Sequence, residues 1–450
     1  MVDLNLRRLR DELASRYAKK TARSSEFYKR AFRSLPGGVN YSIRGFVPHP
    51  IYVKRADGKH LWDLDGNRYV DFWMGHYALI MGHRYEPIIR EAVEQLGEGA
   101  HLGFEHYWEV LLAEQIKKMI DSVDAVRFTN SGTEANMYAV RLARSYTKRR
   151  HLVKFEGCWH GGYDSLHKGV TYPYERPSSL GLPDEITSLT EVLPYNDLET
   201  VERRLRREDV AAVFIELMPS QGGFVMAERS FARGLEEVCE QTGTLLVVDE
   251  VITGFRVSPG GAQKVYSIRP HITTMGKIVG GGIFPAGAIG GIREVMEHLD
   301  HTIHQSPSER SFHGGTYSGN PLTTRCGYAM LRALEDGRII ERLNQLGDKA
   351  RMALYDVSER NGLPVSITGG YSLVGIHFTS REPRTPREAQ ETGNPQLSEV
   401  FHYHLLLNGF LHMAPRLVKL GLSEPHTIDD VNQLADSLES FLRLLRSTSL

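Results

Sequence analysis

The sequence predicts an α/β protein: a large domain with a mostly parallel sheet covered by helices, plus a smaller α+β domain. Three observations carry this. Leu245-Leu246-Val247-Val248 and the run Val210–Ile215 are apolar with no polar alternation, the pattern of strands buried on both faces. A short alternating strand running from Ala125 into Ser131, and Leu152–Phe155, read as further strands; the first leads into a capped helix, the second into a glycine turn. Past about residue 325 a long helical stretch gives way to strand-like pieces such as Ser372–Phe378 mixed with helices. The 450 residues suffice for two or three lobes and a large core. We expect an N-terminal segment over 1–75 (a helix and a small antiparallel unit), a large domain over 76–325 and a C-terminal small domain over 326–450.

Composition narrows the function classes. Lys and Arg number 54 against 55 Asp and Glu, a balance that argues against nucleic acid or an anionic membrane as the main partner and favours a small-molecule substrate. Three cysteines, far apart and in no C-x-x-C spacing, indicate neither a disulfide framework nor a structural zinc site. His76, His83, His160 and His167 show no metal-ligand spacing, so no metal is expected. The N-terminus is charged throughout, unlike a secretory signal. The uncharged run near Lys277 falls short of the roughly 20 apolar residues of a spanning helix. A soluble, cytoplasmic protein is expected.

Taken in order, residues up to about Arg33 place leucine and tyrosine at helical spacing among charges, an amphipathic helix. Leu35-Pro36-Gly37-Gly38 breaks it, leaving Arg44 on a loop or short strand. Tyr52–Phe72 alternates and turns at Asp57-Gly58 and Asp65-Gly66, as an antiparallel hairpin or meander does. Glu86–Leu96 is helical again. At Asn130-Ser131-Gly132-Thr133-Glu134-Ala135 a serine with glutamate three residues on predicts a capping box opening a helix. Free amides and the positive dipole end there can cradle a phosphate, although any well-capped helix looks alike. Trp159, beside glycines at a strand's end, could stack on a flat ring or simply fill the core. Residues 172–183 read as a long loop, Asn320-Pro321 as a cap and first helical residue, Leu322 to about Val357 as helix, and Ile428–Leu445 as the last helix.

The most informative stretch is Leu245–Arg256 with Lys277. Asp249 stands at the carboxyl end of a buried strand, where open α/β sheets hold ligands. Lys277 is set between apolar residues and the run Gly280-Gly281-Gly282, so weak solvation favours its neutral amine, the form that carbonyl chemistry requires. An acid for a pyridinium nitrogen and a lysine for an imine are the two groups that a pyridoxal phosphate enzyme most needs. Each also has a plainer reading: a turn aspartate, and a lysine reaching out of a glycine loop.

Together, Pro36-Gly37-Gly38-Val39-Asn40, the Asn130–Ala135 stretch, Asp249-Glu250-Val251 with Thr253-Gly254-Phe255-Arg256, Gly276-Lys277, and Gly315-Thr316 with Ser318-Gly319-Asn320-Pro321 resemble, in order and spacing, the motifs of class III aminotransferases. These are fold type I pyridoxal phosphate enzymes. Within the class the chain most resembles the glutamate-1-semialdehyde 2,1-aminomutase group and its amino-acid aminotransferase neighbours. The resemblance implies pyridoxal 5'-phosphate as cofactor, Lys277 as its covalent anchor and Asp249 as partner of the ring nitrogen. It puts Ser131, Gly132 and Thr133 on the phosphate, Trp159 and Val251 on the two ring faces, and His160 and Glu216 beside the cofactor. Thr316 would reach the phosphate of a neighbouring subunit, so a homodimer is the implied assembly.

Arg44 would take a substrate carboxylate, with Tyr41, His76 and Arg416 as further substrate-binding candidates. Three positions depart from the aminomutase pattern: Tyr41 replaces a serine, His76 a tryptophan and Lys419 a glutamate. The positive pair Arg416 and Lys419 would favour an acidic substrate if it faces a pocket, and is otherwise a solvated surface pair. The implied activity is an aminotransferase moving an amino group from a carboxylate-bearing amino acid to a 2-oxo acid through Lys277. The aminomutase, or a racemase or epimerase on the same fold, is the alternative. A cofactor-free binding protein is a rival from another class, against which Lys277 and Asp249 stand.

Overall fold

The computed structural model describes residues 2–413 and 415–447, which divide into two units. One comprises the described residues up to Tyr85, Leu343–Pro383 and those from Glu388 onward; the other comprises Glu86–Arg342 with Arg384–Arg387.

The first unit starts with helices Val2–Lys20 and Ala22–Ala31 and a meander of β1 (Val53–Asp57), β2 (His60–Asp63) and β3 (Arg68–Asp71). Leu6, Leu9, Leu13 and Tyr17 form the buried stripe that the helical spacing predicts, and they share one core with Phe401, Leu438 and Phe441 of C-terminal helices. Where the sequence separates residues 1–75 from 326–450, contacts join them. The reason is a long-range pairing that local pattern does not show: a short C-terminal strand, Phe410–Leu411, adds parallel to β3.

The second unit holds a seven-stranded sheet built from β4 (Ala125–Thr129), β5 (His151–Phe155), β6 (Thr190–Leu193), β7 (Val210–Ile215), β8 (Leu245–Asp249), β9 (Ile272–Gly276) and β10 (Gly287–Gly291), in the order β4-β10-β9-β8-β7-β5-β6. Every residue of β7 and β8 is buried, as their uninterrupted apolar sequences require. The pairings from β6 to β9 are parallel, whereas β10 runs antiparallel to both β9 and β4. Helix Gly132–Thr147 lays Ala135, Ala139, Leu142 and Ala143 on the core; three of the four are alanines, which lets backbone approach sheet closely.

β10 lies within a glycine-rich stretch that carries no strand signal in the sequence. Its Gly287 passes directly under the carbonyl of Ser131, which a Cβ there would overlap.

Two further differences are local. The helix expected over 322–357 is broken into Pro321–Leu334 and Arg338–Asn361 at Gly337, whose φ is +75°. Arg44 ends a single 3-10 turn, Ser42–Arg44, rather than lying in a loop or strand. Leu373–His377 pairs with Ser366–Gly370 and Val418–Gly421 in a three-stranded sheet of the first unit. Among the described residues no helix is long and apolar enough to cross a membrane.

Candidate active site

The carboxyl ends of β8 and β9 lie side by side, with Asp249 paired to Thr274 across them. Asp249 ends β8 and is buried. Asn136 Nδ2 donates to its Oδ2 at 2.8 Å, and the amide of Val251 donates to Oδ1 at 3.0 Å. His160 Nδ1 lies 2.8 Å from the same Oδ2. A carboxylate only accepts, so Nδ1 carries the proton. Burial lowers the His160 pKa despite this partner, which keeps the ring neutral, and its Nε2 is buried with no hydrogen-bond partner among the described residues. Asn136 also donates to the Gly132 carbonyl at 3.1 Å and accepts from Thr274 Oγ1 at 3.0 Å. One amide thus fixes the acid, the helix start and the neighbouring strand.

Lys277 follows β9 directly, in the left-handed region with φ +50°. That conformation costs a non-glycine residue free energy and persists where surroundings over-determine it. Burial lowers the Lys277 pKa, and the negative fields of Asp249 and Glu216 only partly oppose this. Glu216, one residue past β7, accepts the Trp159 amide at 2.6 Å. Burial, aided by Asp249, pushes its pKa up to about 8.

Ser131 caps helix Gly132–Thr147, its hydroxyl accepting from the Glu134 amide at 3.2 Å. The expected box is displaced by one residue. Glu134 reaches back to the Asn130 amide, at 2.9 Å, and not to that of Ser131. Val251 fills the space beside Gly132, where a Cβ would come within 2.7 Å of its Cγ2. Gly161 packs on Thr133 too closely for any side chain. Ser131, Gly132, Thr133, Trp159, Val251 and Lys277 are half-buried, whereas Asp249, His160 and Glu216 are buried.

These residues fit pyridoxal phosphate. A helix start with small residues suits the phosphate, Trp159 and Val251 offer apolar faces for a flat ring, and an anchored carboxylate suits a ring nitrogen. Among the described residues no cluster could hold a metal ion.

Thr316 is exposed, on a loop pinned at its ends by Tyr138, whose hydroxyl donates to the Gly314 carbonyl at 2.7 Å, and by His106, 2.8 Å from the Gly319 carbonyl.

Arg44, Tyr41, His76 and Arg416 belong to the other unit. Three of them cluster. The Arg44 guanidinium lies 5.5 Å from the centre of the Tyr41 ring, which stacks on His76 at 5.8 Å, and Arg44 Nη2 is 3.4 Å from His76 Nε2. Arg416 is exposed, but Lys419 is buried on strand Val418–Gly421, so the two are not a solvated surface pair. Sequence reasoning missed Asn136. The available signal was a polar residue of modest helix propensity on the buried face of a helix, one turn after its cap.

A model of the family "Aminotransferase class-III" matches residues 41–423. A glutamate-1-semialdehyde 2,1-aminomutase of Methanothrix thermoacetophila is 40% identical over 424 residues, 93% of this chain and 96% of that protein. An omega-transaminase structure from Sphaerobacter thermophilus superimposes with a TM-score of 0.88 at 34% identity, over 94% of this chain and 98% of that one. A structure described as a transaminase with PLP bound gives 0.85 at 29% identity, over 94% and 98%. The anchored aspartate, the weakly solvated lysine and the capped helix start thus sit in a chain that matches the family along most of its length, and the protein belongs to the class III aminotransferases.

Proposed function

We propose that the protein is a pyridoxal phosphate enzyme that moves an amino group on carboxylate-bearing substrates. The observation that carries this is Lys277, held weakly solvated at the end of β9 beside an Asp249 that Asn136, His160 and a backbone amide orient. Bound there, the cofactor supplies a ring that draws negative charge away from the substrate carbon. Lys277 Nζ would hold the cofactor, and as a free amine it would move a proton at that carbon as base and then acid. Its lowered pKa favours the neutral amine for this task. Asp249 holds a proton on the ring nitrogen, and neutral His160 and Asn136 leave its negative charge in place. Amides at the Ser131 cap hold the phosphate, while Trp159 and Val251 keep water from the ring faces.

Which amino transfer takes place is a choice between two readings. The name of the 40% identical relative favours glutamate-1-semialdehyde 2,1-aminomutase, in which the nitrogen returns to the same molecule. An aminotransferase passing it to a 2-oxo acid is favoured by the Tyr41–His76–Arg44 cluster, which stands where the aminomutase pattern has serine and tryptophan, and by the omega-transaminase structure. A homodimer, with Thr316 serving the neighbouring subunit, and a cytoplasmic setting complete the proposal. Three free, buried cysteines agree with a reducing compartment.

The test is to supply glutamate-1-semialdehyde alone, and a panel of amino donors with 2-oxoglutarate or pyruvate. Isomerisation without a 2-oxo acid supports the mutase, and net transfer to the acceptor supports the transaminase. Absence of both sinks the proposal.

A further inference from the structure

Strand β5 runs through the interior with Leu152, Val153 and Phe155 fully buried, and Lys154 among them has no exposed surface. A lysine there is anomalous, because an ammonium gives up its hydration and a methionine of similar shape would not. Two hydrogen bonds define what it holds: Nζ donates to the Cys158 carbonyl and to the Leu166 carbonyl, each at 2.9 Å. Those carbonyls stand at the two ends of a stretch that touches the candidate site three times. Within it the Trp159 amide donates to Glu216, His160 donates to Asp249 and Gly161 packs on Thr133. Glu216 and Asp249 also attract the ammonium, although neither attraction offsets the burial that brings its pKa down to about 8.

We propose that Lys154 is a positioning residue for the candidate site. Its ammonium ties the ends of the Cys158–Leu166 stretch together, and so sets Trp159, His160 and Gly161 against Glu216, Asp249 and Thr133. The inference rests on the pyridoxal phosphate reading and goes beyond it, since Lys154 itself need touch neither cofactor nor substrate. A backbone staple can be made by an uncharged side chain. Choosing a cation places a positive charge near two buried carboxyl groups, Glu216 and Asp249, where its field acts on both as well as on the course of the chain.

The full-length protein is prepared as wild type, Lys154→Met and Lys154→Gln, freed of cofactor and titrated with pyridoxal 5'-phosphate. Affinity, the circular dichroism induced in the bound cofactor, and melting temperature with and without cofactor are measured. Methionine keeps the shape and removes both hydrogen bonds and the charge; glutamine keeps one donor. Both variants are expected to fold without cofactor and to bind it more weakly, by about tenfold for methionine and less for glutamine. Both should also lose part of the induced band and part of the rise in melting temperature on loading. Wild-type affinity and an unchanged band in either folded variant would overturn the proposal. So would an equal fall in the melting temperatures of free and loaded forms with affinity intact, or failure of both variants to fold, since each assigns Lys154 to the core alone. A wild-type protein that does not take up pyridoxal 5'-phosphate ends the cofactor reading instead.

Discussion

The two units bury polar groups in different ways. In the site-bearing unit, ionisable groups gather where they feel one another: Lys154, Glu216 and Asp249 are all buried near the carboxyl ends of strands in the sheet, with Lys277 within their field. In the other unit two of the buried aspartates, Asp63 and Asp71, are satisfied within a short stretch of chain, while Asp430 pairs with Lys59 at 2.6 Å. Asp63, for example, accepts from the Asp65 and Asn67 amides at 3.0 and 2.8 Å and from the Tyr69 hydroxyl at 2.9 Å. What distinguishes that unit is a set of buried imidazoles. His402 Nδ1 lies 3.0 Å from His412 Nε2, His404 is 3.0 Å from the Ser437 carbonyl, and His426 Nδ1 accepts the Ser423 amide at 2.9 Å. Gathered charges cost folding free energy and are kept where chemistry uses them. Neutral imidazoles cost little at neutral pH and become a liability in acid.

The sharpest way to break this contrast is Lys277→Ala. If the gathered charges serve catalysis, it should lower turnover by about 10³-fold or more while the fold is retained, because a positioned base alone is worth roughly 10²–10⁴-fold. Steady-state rates and far-ultraviolet circular dichroism check this, and substantial residual turnover would reduce the site to an electrostatic curiosity.

Acid should act on the other unit. Burial takes the His404 and His426 pKa values from 6.5 to about 4. Between those values the unfolded chain binds more protons than the folded one. Stability is therefore fully present above about 6.5 and lost as pH falls through about 4, by at most on the order of 3 kcal/mol for each histidine. Hydrogen exchange at pH 5 and 7 reads this unit by unit. Amides of helix Ile428–Ser447 should lose protection before those of β7 and β8. Equal losses would erase the distinction.

Arg44→Lys asks whether the histidine-rich unit takes part in substrate binding. Replacing a planar, two-pronged donor by a point charge should raise the donor KM by an amount equivalent to about 2 kcal/mol, with kcat changed less. Unaltered donor kinetics would withdraw the carboxylate assignment. The smallest effect is expected at Asn136→Ala, which frees Asp249 from one of its donors without removing the acid. About tenfold in kcat is the expected loss, matching one hydrogen bond to a charged group. A pH–rate profile unchanged from wild type in both position and height would show that His160 and the Val251 amide suffice.

Much of the fold was legible because it depends on local pattern. The apolar runs at Val210–Ile215 and Leu245–Val248 became strands, and Asn320 caps its helix through the Thr323 amide with Pro321 in the first turn. The illegible parts are long-range. Nothing in the sequence near Phe410 says that it will pair with Val70, and Gly287–Gly291 has too many glycines to read as a strand. At the site, Lys277, Asp249 and the Ser131 turn could be singled out because each breaks a local pattern in a chemically useful way. Asn136 shows only as a polar residue on a buried helix face and Lys154 as a lysine in an apolar strand; neither signal names its partner, Asp249 or Leu166, because those contacts are set by the packing of strands and loops. Lys419 shows the same limit, because its burial follows from sheet pairing with Gly375.

The antiparallel place of β10 has a consequence for synthesis. β4, which leads into the Ser131 turn, has β10 as its only sheet neighbour among the described residues, yet β4 leaves the ribosome early and β10 follows Lys277. A nascent chain therefore carries the strand leading to the candidate site unpaired until Gly287–Gly291 has emerged, by which time both Asp249 and Lys277 have been made. The strand that completes the sheet also brings Gly287 beneath the Ser131 carbonyl of the candidate site. The wait leaves one sheet edge in need of protection during translation.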